Sequence, residues 1–284
     1  MIAITGANGN LGKAVTGFLL EKTTALNLRA LVRNPETVQD LADAGAAVFT
    51  ADYDDPASLG AALSGVDRLL HVSAIAWGEA GMRQEENVVR AAQKAGVKHI
   101  VYTSALMPNE NAAFYSTRQC LHTERLIRES GIPFTFFRNS LYMETIPLFT
   151  GDAAESGTIY LPAGDGCVSF VYRPDIAEAI ARVLLDPEAH RNRAYEISGS
   201  EALSFEEIAG LLTKQSGRTI AYADIPENMM REDLAKTPMP AEEIDWFLSL
   251  TRSIKAGEFA GVDPALEQLL GRPPKTVAGF LAGT

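Results

Sequence analysis

The sequence predicts an α/β protein, with a doubly wound parallel sheet over roughly residues 1–150 and a smaller C-terminal α/β lobe interleaved with it over 151–284. Three observations support this prediction. Short apolar runs alternate with helical patterns through the first half of the chain, as in βαβ units. A glycine-rich turn directly follows the first of these runs. After Asn139 the alternation loosens into short segments that contain glycine and proline.

Each predicted strand of the first half is a run of apolar or β-branched residues bounded by turn residues. These strands are Ile2–Thr5, Leu28–Val32, Ala47–Thr50, Arg68–Val72, His99–Thr103 and Phe134–Arg138. Between them, apolar residues recur at helical spacing until a breaking residue such as glycine, proline or serine. The predicted helices are Leu11–Lys22, Thr37–Ala44, Pro56–Leu63, Met82–Ala95 and Leu121–Glu129.

The second half offers fewer clear elements. A helix is predicted over Pro174–Leu185, because proline suits the first helical turn and apolar residues then follow one face. A strand is predicted over Ala194–Ile197. Ser204 is placed to cap a helix over Phe205–Thr213, with Glu207 at capping-box spacing. The remaining C-terminal segment is expected to be helical in places.

The charge balance restricts the kind of partner. The chain has 25 basic and 36 acidic residues, a formal net charge of −11 at pH 7. Such a surface repels nucleic acid and anionic lipid, and no basic stripe offsets it. No apolar run approaches the ~20 residues of a membrane span. We therefore expect a small-molecule substrate, with neither a nucleic acid nor a membrane as partner.

The cysteines indicate the compartment. Cys120 and Cys167 stand apart, with no CxxC pair and no Cys/His cluster at metal-ligand spacing, so neither a metal site nor a disulfide framework is predicted. Two isolated cysteines are typical of a reducing compartment. The opening segment MIAITGA reads as a strand and a turn, not as a signal peptide. The expected location is cytoplasmic.

The strongest motif is the segment TGANGNLG, a GxxGxxG pattern between the first predicted strand and the first predicted helix. Glycine permits the tight turn, lets backbone approach a pyrophosphate, and lets the helix pack closely on the strand. The N–H groups at the start of the helix then favour phosphate charge. A glycine triplet alone is weak evidence, but this placement indicates a dinucleotide site of the Rossmann type. Its residues are Gly6, Ala7, Asn8, Gly9, Asn10, Leu11 and Gly12.

The end of the second predicted strand indicates which dinucleotide binds. An NAD site usually has an acid about 20 residues beyond the glycines. Here Arg33 stands 21 residues past Gly12, and no Asp or Glu lies between Leu28 and Pro35. A guanidinium attracts a 2′-phosphate, so the predicted cofactor is NADPH (NADP). The alternative interpretation is an exposed surface arginine.

The layout of the segments TGANGNLG, VRNP, ADYDD, HVSA, VYTSAL and SGIPFTFFRN resembles the NmrA-like, atypical branch of the short-chain dehydrogenase/reductase superfamily. The likeness covers nearly the full length of the chain. Within this branch, the chain is most similar to bacterial NAD(P)H:quinone oxidoreductases of type 2 and to triphenylmethane dye reductases. The glycine motif and VRNP are shared across much of the branch, so they indicate fold and cofactor better than substrate.

The resemblance implies roles for particular residues. The glycine turn and Arg33 would hold the adenosine diphosphate, and a serine after the fifth strand, Ser104, would touch substrate. Residues along the cofactor would be Ser73, Ala74 and Ile75, and those on the nicotinamide and substrate side Arg138, Asn139, Ser140, Tyr142 and Met143. The family pattern continues with an acid and an asparagine; Glu144 is present here, but Thr145 replaces the asparagine.

The proton-donating pair of the superfamily is missing. Typical members carry Tyr-x-x-x-Lys, in which the lysine lowers the pKa of the tyrosine. Here Tyr115 is followed four residues later by Gln119, and Cys120 stands where many NmrA-like chains have lysine. No catalytic residue is assigned, and the expected reaction is hydride transfer from NADPH to a quinone or similar planar, electron-poor acceptor, which needs orientation above all. A non-catalytic NADP(H)-sensing regulator is the alternative, and a sugar-nucleotide epimerase is disfavoured by the missing pair.

Some polar residues have two interpretations each. Asp52 could accept a hydrogen bond from the adenine amino group or cap the helix that starts at Pro56. For Cys120, a packed helix residue is favoured over a reactive thiol. His71 is expected to pack in the sheet, and His122 to lie at the surface.

Overall fold

The computed structural model describes residues 1–22 and 27–283. The strands of this part of the chain are β1 (Ile2–Thr5), β2 (Leu28–Val32), β3 (Ala47–Thr50), β4 (Arg68–His71), β5 (His99–Ala105), β6 (Phe134–Asn139), β7 (Thr158–Leu161), β8 (Cys167–Val168), β9 (Arg193–Ile197), β10 (Leu203–Ser204) and β11 (Ala221–Asp224). Seven of them form one sheet in the order β3-β2-β1-β4-β5-β6-β9. Pairing is parallel from β3 to β5 in that order, which confirms the doubly wound sheet.

The helices flank and follow this sheet. They are α1 (Asn10–Lys22), α2 (Gln39–Asp43), α3 (Pro56–Leu63), α4 (Gly78–Ala95), α5 (Tyr115–Glu129), α6 (Ile146–Thr150), α7 (Ala153–Ser156), α8 (Arg173–Leu185), α9 (Phe205–Ser216), α10 (Glu227–Leu234), α11 (Ala241–Lys255), α12 (Ala265–Leu270) and α13 (Val277–Leu281). In the described ranges, none of these helices combines the length and the apolar character needed to cross a bilayer.

Several helix boundaries differ from the sequence prediction. The helix predicted from Met82 begins four residues earlier, and the one predicted from Leu121 begins six residues earlier, at Tyr115. Both missed turns are polar or contain glycine, so apolar periodicity gave no signal there. The helix predicted over Thr37–Ala44 is a 3₁₀ turn over Pro35–Val38 followed by the short α2.

The chain forms two compact units, each made of three segments. The first unit comprises Met1–Ala105, Gln119–Arg138 and Pro174–Tyr195, and the second Leu106–Arg118, Asn139–Arg173 and Glu196–Thr284. Each has its own apolar core. In the first unit Leu69, Ile100 and Phe136 are fully buried together, and in the second unit Phe170 and Phe205 are.

In the first unit, the order of strands reverses between β1 and β4. Strands β2 and β3 follow β1 on one side, whereas β4 and β5 extend the sheet on the other. Open α/β sheets bind ligands outside the carboxyl ends of their strands at this kind of reversal. The loops after β1, β2, β4 and β5 are therefore those to inspect for a cofactor site.

The second unit contains two small sheets. Strand β11 pairs in parallel with β7, and β10 pairs antiparallel with β8. Ser204 caps α9, with reciprocal hydrogen bonds to Glu207, so the predicted capping box is confirmed. Strand β11 is not predicted from sequence, because the segment 221–224 is short and only partly buried and its pairing with β7 is long-range.

Candidate functional site

The glycine turn between β1 and α1 has three glycines with different constraints. Gly6 has φ +59°, a left-handed conformation that favours glycine. Its carbonyl accepts a hydrogen bond from the N–H of Gly9 at 2.9 Å. A Cβ on Gly12 would lie only 2.4 Å from the same carbonyl oxygen, so no other residue fits there without moving backbone. The close approach of α1 to the turn therefore depends on Gly12.

The turn presents its polar backbone to solvent. Asn8, Gly9 and Asn10 are exposed, whereas the neighbouring Ala7 and Leu11 are buried and anchor the segment. Because α1 begins at Asn10, the N–H groups of its first turn have no acceptor within the helix. These groups and the helix dipole suit an anion. The turn fits a pyrophosphate in both shape and charge.

Arg33 lies directly after β2, where its side chain is exposed. Among the described residues, no hydrogen bond or ion pair to its guanidinium is formed. Lys13, by contrast, forms an ion pair with Asp40 at 2.8 Å. A partnerless guanidinium at the end of β2 fits the 2′-phosphate of an adenosine.

Asp52 follows β3 and is half-buried. Its carboxylate accepts the N–H of Asp54 at 3.0 Å, and its carbonyl accepts the N–H of Asp55. Asp55, not Asp52, caps α3, through the N–H of Ala57. Asp52 thus shapes the turn before α3, and the adenine contact stays a prediction.

The carboxyl ends of β1 and β4 are joined by a tyrosine. The hydroxyl of Tyr53 donates hydrogen bonds to Thr5 Oγ1 at 2.6 Å or to the carbonyl of Val72 at 2.7 Å. The N–H of Val72 in turn donates to Thr5 Oγ1. Burial raises the pKa of Tyr53 well above its usual value, so the phenol stays neutral. This contact holds together the two strands that flank the reversal of strand order.

A buried carboxylate holds the loop after β4. The N–H of Ala74 donates to Glu85 Oε1 at 2.7 Å, and the other oxygen lies 2.5 Å from His71 Nε2. Both side chains are fully buried, so the pair is shielded from solvent. Ser73 is held by the hydroxyl of Thr103 at 2.9 Å, whereas the side chain of Ile75 is 89% exposed. The loop is thus fixed at its backbone and presents an apolar side chain outward.

A second buried carboxylate gathers two of the predicted site residues. Glu124 of α5 is fully buried and accepts the hydroxyl of Ser104 at 2.8 Å. Arg138 donates to both of its oxygens, at 2.8 and 2.7 Å, and Arg128 donates at 3.0 Å. The Ser104 proton is therefore engaged within the protein, and the guanidinium of Arg138 neutralises a buried charge. Their roles toward substrate and cofactor stay predictions.

The remaining predicted residues follow β6 in the second unit. Asn139 is buried, with Nδ2 3.5 Å from the hydroxyl of Tyr142 and with no hydrogen-bond partner for Oδ1 among the described residues. The guanidinium of Arg173 lies 5.0 Å from the centroid of the Tyr142 ring. The hydroxyl of Ser140 accepts a hydrogen bond from Ser169, and Met143 is buried in the apolar core of this unit. Asn139 and Tyr142 thus lie together, whereas Ser140 and Met143 are enclosed by their neighbours.

The position of the missing Tyr-x-x-x-Lys pair is occupied by residues with other contacts. In the second unit, Arg118 lies 5.0 Å from the ring centroid of Tyr115. In the first unit, Gln119 is buried and donates to the carbonyl of Ala76 at 3.1 Å. Burial raises the pKa of the Cys120 thiol to about 12, so it is protonated at neutral pH, which agrees with a packed rather than a reactive cysteine. Within 1–22 and 27–283, no group of three or more potential metal ligands occurs.

Sequence reasoning missed Glu85 and Glu124, which hold these loops. A signal for both was present. Glu85 stands three and four residues before the buried Val88 and Val89, and Glu124 stands between the buried Cys120 and Ile127 at helical spacing. A carboxylate on the apolar face of a helix requires a buried partner. That partner, however, comes from distant segments of the chain.

Comparisons with known proteins agree over the whole chain. The sequence is 36% identical over 280 residues to quinone oxidoreductase 2 of Escherichia coli K12, covering 98% of this chain and 96% of the relative. The solved structure of the NADPH-dependent quinone oxidoreductase from Escherichia coli, complexed with NADPH, matches with a TM-score of 0.94 and 35% identity, over 100% of this chain and 99% of that one.

A second solved structure is that of the triphenylmethane reductase of Citrobacter sp., complexed with NADP(H). It matches with a TM-score of 0.93 and 33% identity, over 100% of this chain and 99% of that one. The model of the NmrA-like family matches residues 1–273. The protein thus belongs to the NmrA-like family, as the layout of its motifs predicts.

Proposed function

We propose that this protein transfers a hydride from NADPH to a quinone or a similar planar, electron-poor acceptor. The coarser statement is simple: the chain is an NADPH-dependent oxidoreductase. The proposal concerns the chemical class of the electron acceptor. The relatives named above, one a quinone oxidoreductase and one a triphenylmethane reductase, support an acceptor of this class.

The observation that carries the cofactor assignment is the pairing of the glycine turn with Arg33. The turn offers backbone N–H groups to a pyrophosphate, and Arg33, one strand away, offers an exposed cation that forms no hydrogen bond or ion pair with the described residues. A ribose hydroxyl could accept hydrogen bonds from this guanidinium only at a neutral oxygen, whereas a 2′-phosphate forms stronger, charge-assisted hydrogen bonds with it. The geometry therefore supports NADPH over NADH.

The acceptor class is inferred from three side chains that are not placed to donate a proton to a substrate. The Ser104 hydroxyl donates to Glu124, Gln119 replaces the superfamily lysine, and the Cys120 thiol is buried. A ketone would need a proton from a positioned acid as the hydride arrives. A quinone does not, because its reduced oxygen is a stabilised anion that takes its proton from water, and a cationic dye is neutralised by the hydride itself. Bound NADPH supplies the hydride, and the protein supplies orientation.

Asn139 and Tyr142 are the side chains proposed to orient the acceptor. They lie at and just after the carboxyl end of β6, within 3.5 Å of each other. Asn139 Oδ1 is buried and has no hydrogen-bond partner among the described residues, and the Tyr142 ring is suited to stack on a planar molecule. Substitutions here should raise KM or lower kcat without abolishing NADPH binding.

The test is NADPH oxidation, followed by absorbance, against a benzoquinone, a naphthoquinone, a triphenylmethane dye and a simple ketone. We expect saturable turnover of the quinones or the dye and little of the ketone. Cys120→Ala and Tyr115→Phe should keep most of the activity. Faster turnover of the ketone than of any quinone or dye would refute the proposal. Tight NADPH binding with no turnover of the whole panel would instead indicate a regulator.

A further inference from the structure

The backbone of Met107 is in a conformation that its side chain disfavours. Its φ is +45°, one of two positive values among described residues other than glycine, the other being that of Asn192. Asparagine tolerates this region, whereas a bulky, unbranched side chain rarely adopts it. Pro108 follows directly and restricts the backbone of Met107 further. Strain of this kind persists where the surroundings enforce it, and it is concentrated at functional sites.

Hydrogen bonds on both sides enforce the conformation. The N–H of Met107 donates to the carboxylate of Glu196 at 2.8 Å, and its carbonyl accepts from the side-chain amide of Asn109 at 3.3 Å. The preceding N–H, that of Leu106, donates to the carbonyl of Asn139 at 2.9 Å. Three backbone groups at and next to the strained residue are thereby held. The turn is built to keep Met107 in this orientation.

The effect of the turn is to present an apolar side chain to solvent. The Met107 side chain is 56% exposed, although burial is the usual fate of methionine. A Cβ on Gly261 would lie 3.1 Å from the Met107 sulfur, although the φ of Gly261 does not itself require glycine. The absence of a side chain at Gly261 leaves the room that the thioether occupies. The fold thus holds an exposed methionine in a conformation that its own side chain disfavours.

The position of Met107 indicates what it meets. It stands two residues beyond the last residue of β5, and the hydrogen bond of Leu106 ties it to Asn139, the last residue of β6. Both strands end at the carboxyl edge of the sheet, where open α/β sheets bind ligands. A thioether is polarisable and adaptable, and it makes favourable contacts with the edges and faces of aromatic rings. It suits acceptors that share a flat ring but differ in outline.

We propose that Met107 is a specificity-determining residue that contacts the ring of the electron acceptor. This inference rests on the proposed function and deepens it, because it assigns the recognition of planar ring acceptors to a residue that the resemblance did not single out. Glu196 is then a positioning residue, which acts on the acceptor only through the backbone of Met107.

The test compares Met107→Ala, Met107→Gly and Met107→Leu at saturating NADPH. Alanine and glycine both remove the thioether, but only glycine relieves the backbone strain, so their shared effect isolates the side chain. We expect KM for a naphthoquinone to rise roughly two- to tenfold in both, with a smaller rise for a single-ring benzoquinone. Leucine should stay within about twofold of the wild type, because it keeps the apolar contact. The melting temperature of Met107→Gly should exceed that of Met107→Ala by about 2–4 °C.

Met229→Ala is the matched control, since Met229 is 50% exposed on α10 and has no proposed role. It should leave every KM unchanged, and the Kd of NADPH should be unchanged in all variants. If the wild type reduces quinones and both Met107→Ala and Met107→Gly have the wild-type KM, this inference is overturned while the proposed function stands. Equal increases of KM in Met107→Ala and Met229→Ala would overturn it as well. Failure of the wild type to reduce any quinone or dye would refute the proposed function, and this inference with it.

Discussion

Two regions of the first unit solve opposite electrostatic problems. At the glycine turn and the end of β2, polar groups are exposed and lack hydrogen-bond partners among the described residues, as the Arg33 guanidinium and the first-turn N–H groups of α1 do. Around Glu124, the carboxylate is fully buried, and its oxygens accept hydrogen bonds from Ser104, Arg128 and Arg138. The first region can bind the anion of a ligand, whereas the second region surrounds an anion of the protein, the Glu124 carboxylate.

The difference bears on how a binding residue is recognised. Arg33 and Arg138 are both arginines at the ends of central strands, and both were assigned to the cofactor in the sequence analysis. Only Arg33 is left without a described partner, whereas Arg138 neutralises a buried carboxylate. An arginine can hold a ligand phosphate most readily when no internal carboxylate competes for it. Arg33 and Arg138 are thus distinguished by the carboxylate that Arg138 binds, and not by residue type.

The largest effect is expected from breaking the enclosed region. Glu124→Gln removes the buried charge that Ser104, Arg128 and Arg138 surround. We expect a loss of about 3–5 kcal/mol in the free energy of unfolding. Glu129→Gln, an exposed glutamate at the end of the same helix, should change it by less than about 0.5 kcal/mol. Urea denaturation measures both, and equal effects of the two substitutions would remove the distinction drawn here.

The next effect concerns the exposed region. A Cβ at Gly12 would collide with the carbonyl of Gly6, whereas one at Gly17, about one and a half turns further along α1, would meet no atom within 4 Å. Gly12→Ala should destabilise the protein by about 3 kcal/mol and weaken NADPH binding in the folded fraction. Gly17→Ala should stabilise it by about 0.5–1 kcal/mol, because alanine is the better helix former. Thermal unfolding and NADPH titration of both variants decide this, and normal NADPH affinity in a folded Gly12→Ala variant would contradict the assignment of the turn.

The smallest effect tests Arg33 itself. Arg33→Ala should weaken NADPH binding by about 1.5–3 kcal/mol, the contribution of a hydrogen bond to a charged group, and leave NADH binding almost unchanged. Stability should not change, because no described residue depends on this side chain. Arg33→Lys should lose less, since it keeps the charge but not the fork of donors. Calorimetric titration with both cofactors is the measurement, and equal losses for NADPH and NADH would show that Arg33 does not bind the 2′-phosphate.

Prediction from sequence succeeded where the signal is local. The bounds of β1, β2, β3 and α3 agree with the structure, because apolar runs, proline and glycine mark these elements within a few residues. The glycine turn lies where its motif places it, and the capping box of α9 is formed as expected. The starts of α4 and α5 were missed, since their first turns contain glycine or polar residues and no apolar stripe.

The sequence by itself determined the doubly wound fold, the position of the dinucleotide turn and the presence of Arg33 after β2, because each depends on residues close together in the chain. Only the tertiary structure decided which polar groups are left for a ligand. Ser104 and Arg138 meet on Glu124 across intervals of 20 and 14 residues, and the N–H of Met107 meets Glu196 across 89. The physical reason is that a buried charge or a strained turn must find its hydrogen-bond partners wherever the chain brings them, and no local pattern records that choice.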